Sequence, residues 1–447
     1  MSQQEIRADS EESSAAAPGG DPSSRRGIFR LSLFFAAIYF VQGITEPNAG
    51  IANQPIFFLL KDGLHLSAAG TATFLAIVGV AWNIKPLYGL TSDFFPLFGY
   101  RRKSYLIVTS ALAAAAWFLL GSQSDYAYGP TLLILAVCGL GLAFSDVLCD
   151  AVMVETGKPL GMTGRFQAVQ WGSINTASVL AGIGGGWLAQ NVSYQRTFLL
   201  VSLFPVISLV ATAYCVHEAR TRFSREVVHQ TAAAVGSAIG SRPLWVAAAS
   251  IFLWNFSPSF GVPLEYHMVD RLGFSKIFLG TLDSVGSAAA ILGATIFGKI
   301  CRRLPMRRLL NLSVGIGMVT ALSYWGLAGH KSAVVLAFGN GMVSMIASLA
   351  TFDLAARSCP DKAEGTFFAA LMSLANIGTA GSQFLGGKLY DWLGLQPLIL
   401  VSGLATAACW LIVPLIRIDD PTVKPSGEAA TTHPAQQSPG GAATPPE

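Results

Sequence analysis

Apolar residues gather in long runs along this chain instead of alternating with polar ones. Twelve runs stand out, at 30–60, 67–91, 104–121, 130–155, 164–190, 195–216, 243–267, 275–299, 308–328, 332–356, 364–390 and 396–416. About 20 apolar residues are what a helix needs to cross a bilayer core. The pattern therefore predicts an all-α polytopic membrane protein with twelve transmembrane helices. The first run is long enough to bend or tilt, and Gly43 and Pro47 are where a bend would fall. The connections are short except for 217–242, which is polar and mid-chain. It divides the runs into two six-helix halves, 30–216 and 243–416. The polar ends, 1–29 and 417–447, read as disordered tails.

Charge changes the picture by giving it a direction. With the N-terminus in the cytoplasm, 22 of the 29 Lys and Arg fall on the cytoplasmic side, six outside, and Lys85 inside a span. Basic residues concentrate on the cytoplasmic side of membrane proteins, so both termini and the 217–242 linker are expected there. The acids of the leading tail, with no short apolar core, fit neither a secretory nor an organelle signal. The expected location is a cell inner membrane, as a multi-pass protein.

Composition agrees. Charged residues make up 12% of the chain and hydrophobic ones 52%, against about 25% charged in a soluble domain. A net charge of +4, spread over the whole chain, excludes a nucleic-acid partner. The six cysteines lie singly in or beside apolar runs, so there is no metal signature and no disulfide framework. No cofactor motif is present. Neither H-E-x-x-H nor G-x-S-x-G occurs, so an intramembrane enzyme is not expected.

The most specific local pattern follows the second run. Gly89 and Asp93 close the span, and Gly99, Arg101, Arg102 and Lys103 follow in the loop. Asp93 could pair with Arg101, with Arg102 or with a neighbouring helix end as a latch; a capping Asp in a basic turn is the plainer alternative. The corresponding place in the second half has Arg302 where the Asp would fall.

An ionisable residue inside a span costs about 2.5–3.5 kcal/mol on insertion scales and is a functional candidate by default. Asp146 and Asp150 are four apart and share a helix face. Lys85 lies at similar depth, so Lys85–Asp150 and Lys85–Asp146 are both reasonable ion pairs. Glu155 lies nearer the surface and would join the latch. Glu46, Asp283, Asp353 and the solvent-edge pair Glu265 and His267 are weaker candidates. Gln42, Asn53, Gln167, Gln170, Asn255, Asn376 and Gln383 are polar residues that either bind a ligand or join helices. Gly182, Gly184, Gly185 and Gly186 read as close helix packing.

The stretch from Lys85 through Asp93 and Gly99 to Tyr105 resembles the folate–biopterin transporter family, a branch of the major facilitator superfamily. The resemblance continues at Tyr39–Gly43, at Lys61, Asp62 and His65, and from Phe144 through Asp150 to Glu155. It recurs at Gln170 and Trp171, at Phe252 and Trp254, at Pro305 and Arg307, and from Leu354 through Arg357 to Pro360. It implies a secondary active transporter working by alternating access, with a substrate site between the halves. The implied partners are a pterin or folate and the lipid bilayer, with the chain as a monomer. On this reading Lys85, Asp146, Asp150, Glu46, Gln42, Asp283, Trp254 and Asn255 bind substrate or couple protons. Gly89, Asp93, Gly99, Arg101, Arg102, Glu155, Asp353 and Arg357 form the cytoplasmic gate. Two departures stand out. Thr156 and Gly157 follow Glu155 where a basic residue is usual, and the chain after Gly43 reads Ile44, Thr45, Glu46, Pro47, Asn48. The span 4 pattern also resembles muropeptide and acyl-CoA transporters of the same superfamily, so a muropeptide, nucleoside or drug is the alternative cargo. A sensor or scaffold that keeps the fold is the alternative of another class.

Overall fold

Two proline-centred breaks shape the first two spans. In this computed structural model, which describes residues 24–220, 242–300, 304–359 and 364–415, helix α1 (Arg25–Thr45) stops at Glu46. Pro47 has no N–H to continue the ladder. The chain turns tightly instead: Gly50 N–H donates to the Glu46 carbonyl at 2.6 Å and Ile51 N–H to the Ile44 carbonyl at 2.8 Å. A short helix, α2 (Asn53–Phe58), and a π-turn over Leu59–Gly63 complete the span. The bend thus falls at Pro47. Gly43 remains helical and serves a different purpose: a Cβ there would come 2.7 Å from that of Ala177.

Span 2 starts as α3 (Ala68–Val78), tightens to a 3₁₀ segment at Gly79–Ile84 and resumes as α4 (Lys85–Phe94). Pro86 cannot donate to the carbonyl of Trp82, four residues earlier. That released carbonyl accepts instead from Asn376 Nδ2 in the other half of the chain, at 2.8 Å.

The other elements follow in order. The first half adds α5 (Lys103–Gly121), α6 (Tyr128–Leu160), α7 (Thr163–Asn191), α8 (Tyr194–Val201) and α9 (Phe204–Cys215). The second half holds α10 (Arg242–Asn255), α11 (Gly261–Asp270), α12 (Lys276–Ile300), α13 (Met306–Ser323), α14 (His330–Ser358), α15 (Glu364–Leu393) and α16 (Leu395–Ala408). No strand occurs among the described residues. Local chemistry sets the ends. Ser67 caps α3 by accepting from Gly70 N–H. Gly161 closes α6 at φ +63°, with Met162 N–H returning to the Gly157 carbonyl, a left-handed cap that suits glycine.

Nine stretches among the described residues are long and apolar enough to cross a membrane. The predicted spans missing from that set are 164–190, 243–267 and 364–390. The first and last, α7 and α15, pack between the halves: α7 on α12 and α15 on α3. A helix shielded by neighbours can carry polar and small residues that lipid would not tolerate. The second is broken at 256–260 into α10 and α11.

The side bearing Arg101 and Arg102 is called the basic side here, and the other the opposite side. On the basic side each half has its own core. Phe34, Phe35, Leu106, Leu148 and Phe166 pack together in the first, and Ile251, Leu309, Ala350 and Leu354 in the second. On the opposite side one cluster joins the halves, with Phe57, Phe58 and Ala189 against Leu264, Tyr266 and Leu279. The glycines of α7 make this closure tight. A Cβ on Gly186 would stand 2.7 Å from the Lys276 carbonyl oxygen, and Gly182 lies against Gly280 and Ser284. Residues 1–23, most of the 217–242 linker, Arg302 and 416–447 lie outside the described residues.

Candidate functional site

Three polar constellations stand out, together with one cavity between the halves. The deepest constellation is built on α4 and α6. Lys85 Nζ sits 2.7 Å from Asp146 Oδ2, both side chains largely buried. The same ammonium lies 4.6 Å from the ring centre of Trp82, a cation–π position. Of the two pairings open from the sequence, the structure thus forms Lys85–Asp146. Asp150, one turn on, takes different partners: the Tyr39 hydroxyl donates to it at 2.6 Å and Gln170 Nε2 at 3.4 Å. The two neighbouring carboxylates are therefore served by separate donors, a cation for one and neutral groups for the other. Glu46 stands beside Trp82 and within electrostatic reach of Lys85, and its Oε2 has no hydrogen-bond partner.

The second constellation closes the basic end of the first half. Arg102 is buried and reaches two helices, α4 and α6. Its Nη2 meets Asp93 at 2.6 Å and Glu155 at 2.9 Å, and Nη1 donates to Ser92 Oγ. Helix α5 begins here with no side-chain cap of its own. The Glu218 carboxylate takes its leading N–H groups instead, from Arg101 at 2.8 Å, Arg102 at 3.0 Å and Lys103 at 2.9 Å. An anion suits that position, where N–H groups and the helix dipole converge. Gly99 turns the loop at φ +84°, and Gly89 packs near Val147. Asp353 and Arg357 pair with each other along α14, at 3.0 Å. All of these ion pairs stay within one half.

The third constellation was not anticipated as a site. On the opposite side Lys61 meets Asp270 at 2.7 Å, and Asp62 meets Lys276 at 3.7 Å. Adjacent residues of the first half thus cross-pair with two of the second. Beside them the Tyr266 hydroxyl donates to the Leu66 carbonyl at 2.6 Å and accepts from Thr71 at 2.8 Å. The available signal was the Lys61–Asp62 doublet itself, standing on the side poor in basic residues.

The cavity, of 620 Å³, lies between the halves and is lined by both. Its polar wall includes Asn48, Asn53, Gln54, Glu265, Asp283, Asn340 and Gln383. Gln54 Nε2 donates to Asp283 Oδ2 across the halves at 2.9 Å. Of the residues expected to bind substrate, only Asp283 lines this cavity. Lys85, Asp146 and Asp150 are absent from its wall. Gln42 lies inside the first half, beside Ser110 and Ser145. Trp254 lines a small apolar recess within the second half. The Asn255 amide donates to its own helix, at the Ile251 carbonyl, 2.8 Å away.

Residues 42–416 match the BT1 family. The chain belongs to that family. It is 29% identical over 420 residues to the folate-biopterin transporter of Synechocystis, a match covering 89% of this chain and 83% of that one. The probable folate-biopterin transporter 4 of Arabidopsis thaliana is 24% identical, over 80% of this chain and 88% of its own. Folate transporter 1 of Plasmodium falciparum is also 24% identical, over 76% of this chain and 69% of its own. Among solved structures, the D-xylose–proton symporter superposes with a TM-score of 0.65 at 12% identity, covering 86% of this chain and 97% of that one. A variant of the nucleoside transporter NupG gives 0.67 at 10% identity, covering 86% and 98%. The fold is therefore that of the major facilitator transporters.

Proposed function

We propose that this protein is a secondary active transporter that moves a pteridine or folate-like anion by alternating access, driven by protons. The observation that carries the reading is the unequal closure of the two ends around an interior cavity. One cluster, two ion pairs and the α7–α12 glycine contact tie the halves together on the opposite side. On the basic side each half keeps a separate core. Two rigid bodies joined at one end can rock about a central site. With the basic side in the cytoplasm, following the charge rule, the conformation faces inward and both termini are cytoplasmic. The relatives' names supply the cargo class.

Lys85 is the anion's counter-ion in this scheme. It is held by Asp146, so protonating that carboxyl frees the ammonium for a substrate carboxylate. Substrate departure then restores the pair and releases the proton. Asp150, with Tyr39 and Gln170, keeps a second carboxyl within the same helix face. The Arg102 network works as a brace that keeps the basic end of the first half rigid.

Uptake by the reconstituted protein, measured with and without a pH gradient, tests the scheme. Wild type concentrates labelled folate when the gradient is present. Asp146→Asn equilibrates it without accumulation. An Asp146→Asn variant that still drives folate uphill would remove the coupling role. Competition by pterins, nucleosides and muropeptides in the same vesicles separates the cargo classes.

A further inference from the structure

The cavity wall has a one-sided polarity. Gln54 is 2% exposed, and its Oε1 has no partner. Asn48 Oδ1 is likewise buried and unpartnered. Both amides line the cavity. Neither can be turned over to cure this, because Gln54 Nε2 serves the Asp283 carboxylate and Asn48 Nδ2 serves the Leu75 carbonyl at 3.2 Å. The Leu75 carbonyl only accepts, and so does Asp283 when ionised, so both amide nitrogens are committed to protein partners. Glu265 adds a carboxyl to the same wall, with no hydrogen-bond or ion-pair partner among the described residues. Among the described residues, no Lys or Arg lines the cavity. Two carboxyls and no neighbouring cation give this wall the chemistry for a ligand that brings donors.

We propose that Glu265 and Asp283, the latter held by Gln54, bind the N–H edge of a flat aminoheterocycle, in which a ring N–H stands beside an exocyclic amino group. Given the pteridine cargo proposed above, on which this assignment rests, that edge is the pterin's amino-pyrimidine side. Two parallel donors match a carboxylate as a guanidinium does. The ring and the anionic end of the cargo then use different residues: the acceptor wall takes the ring, and Lys85 takes the carboxylate. The absence of Lys85 from the cavity wall follows from this division.

The test compares pterin with lumazine, which carries a carbonyl in place of the amino group and is otherwise the same ring. Binding of each to the purified full-length protein is measured by titration, with melting temperature as a check on folding. A site built around donors rejects an analogue lacking them strongly, so wild type should prefer pterin by at least about tenfold. Glu265→Gln and Asp283→Asn should bring that preference close to one, chiefly by weakening pterin. Equal binding of the two rings by wild type overturns the assignment, even if neither variant folds. So does a preference that survives both substitutions. Equal binding together with Na⁺-dependent stabilisation would also overturn it and assign the wall to a cation. In all three outcomes folate uptake by wild type leaves the transport reading standing. Failure of wild type to bind or carry pterin or folate at all ends both.

Discussion

The two faces of the molecule carry ionic clusters of similar size, but only one of them holds the halves together. On the basic side Arg102 gathers Asp93, Glu155 and Ser92 from elements of the same half. On the opposite side Lys61 and Asp62 reach Asp270 and Lys276 in the other half. The first can keep its contacts while the halves separate; the second cannot. A conspicuous motif therefore lies within one half, and a modest Lys–Asp doublet marks a contact that any separation of the halves at that end would break.

Four substitutions probe this difference, in decreasing order of expected effect. Arg102→Ala leaves three polar partners facing a void. Breaking a buried pair costs about 3–5 kcal/mol, and the partial exposure of Asp93 and Glu155 reduces this to about 2 kcal/mol. A melting temperature several degrees lower is expected, with opposite-side accessibility unchanged. Increased accessibility there would contradict the brace role. Next, Gly186→Leu places a side chain against Lys276 and Ile277. Overpacking costs typically 1–3 kcal/mol and here falls on the closed state. Labelling of a cysteine introduced at the cavity residue Ser178, by an impermeant reagent from the opposite side, should rise several-fold. An unchanged rate would mean that the glycine contact does not hold that end shut.

The third probe is a charge swap. Asp270→Lys alone turns attraction into repulsion with Lys61, and adding Lys61→Glu restores the pair. With Asp270 half exposed, the single reversal should shift the same labelling rate by about 1 kcal/mol, or roughly fivefold. The double variant should return close to wild type. Failure of the rescue would show that the pair is incidental. Asp62→Asn comes last. Its contacts are long, at 3.7 Å, and Asp62 is nearly half exposed, so the change should stay below about 0.5 kcal/mol. A larger shift would show that the weaker cross-pair also holds the closed end.

Much of the fold was legible in the runs of apolar residues, because lipid forces each span to satisfy its backbone internally. Pro47 likewise announced the break in span 1, since a missing N–H acts locally. The interface helices were harder to weigh by hydropathy. Residues 164–190 and 364–390 form continuous helices, α7 and α15, yet fall outside the nine apolar spans, because they face protein on more than one side. The site was legible in kind but not in partnership. Lys85, Asp146 and Asp150 stood out as buried charges, but sharing a helix face does not say which carboxylate meets the lysine. Trp254 and Asn255 looked like ligand residues and instead pack within their own half.

The sequence alone determined that the chain is a bundle of membrane helices with a strongly one-sided distribution of basic residues, because burial in lipid and the charge rule act on short segments. Only the tertiary structure decided which end is shut, which carboxylate holds Lys85 and what lines the cavity. Those features join residues as far apart as Gln54 and Asp283. Their meeting depends on how two packed halves lie against each other, which no local pattern specifies.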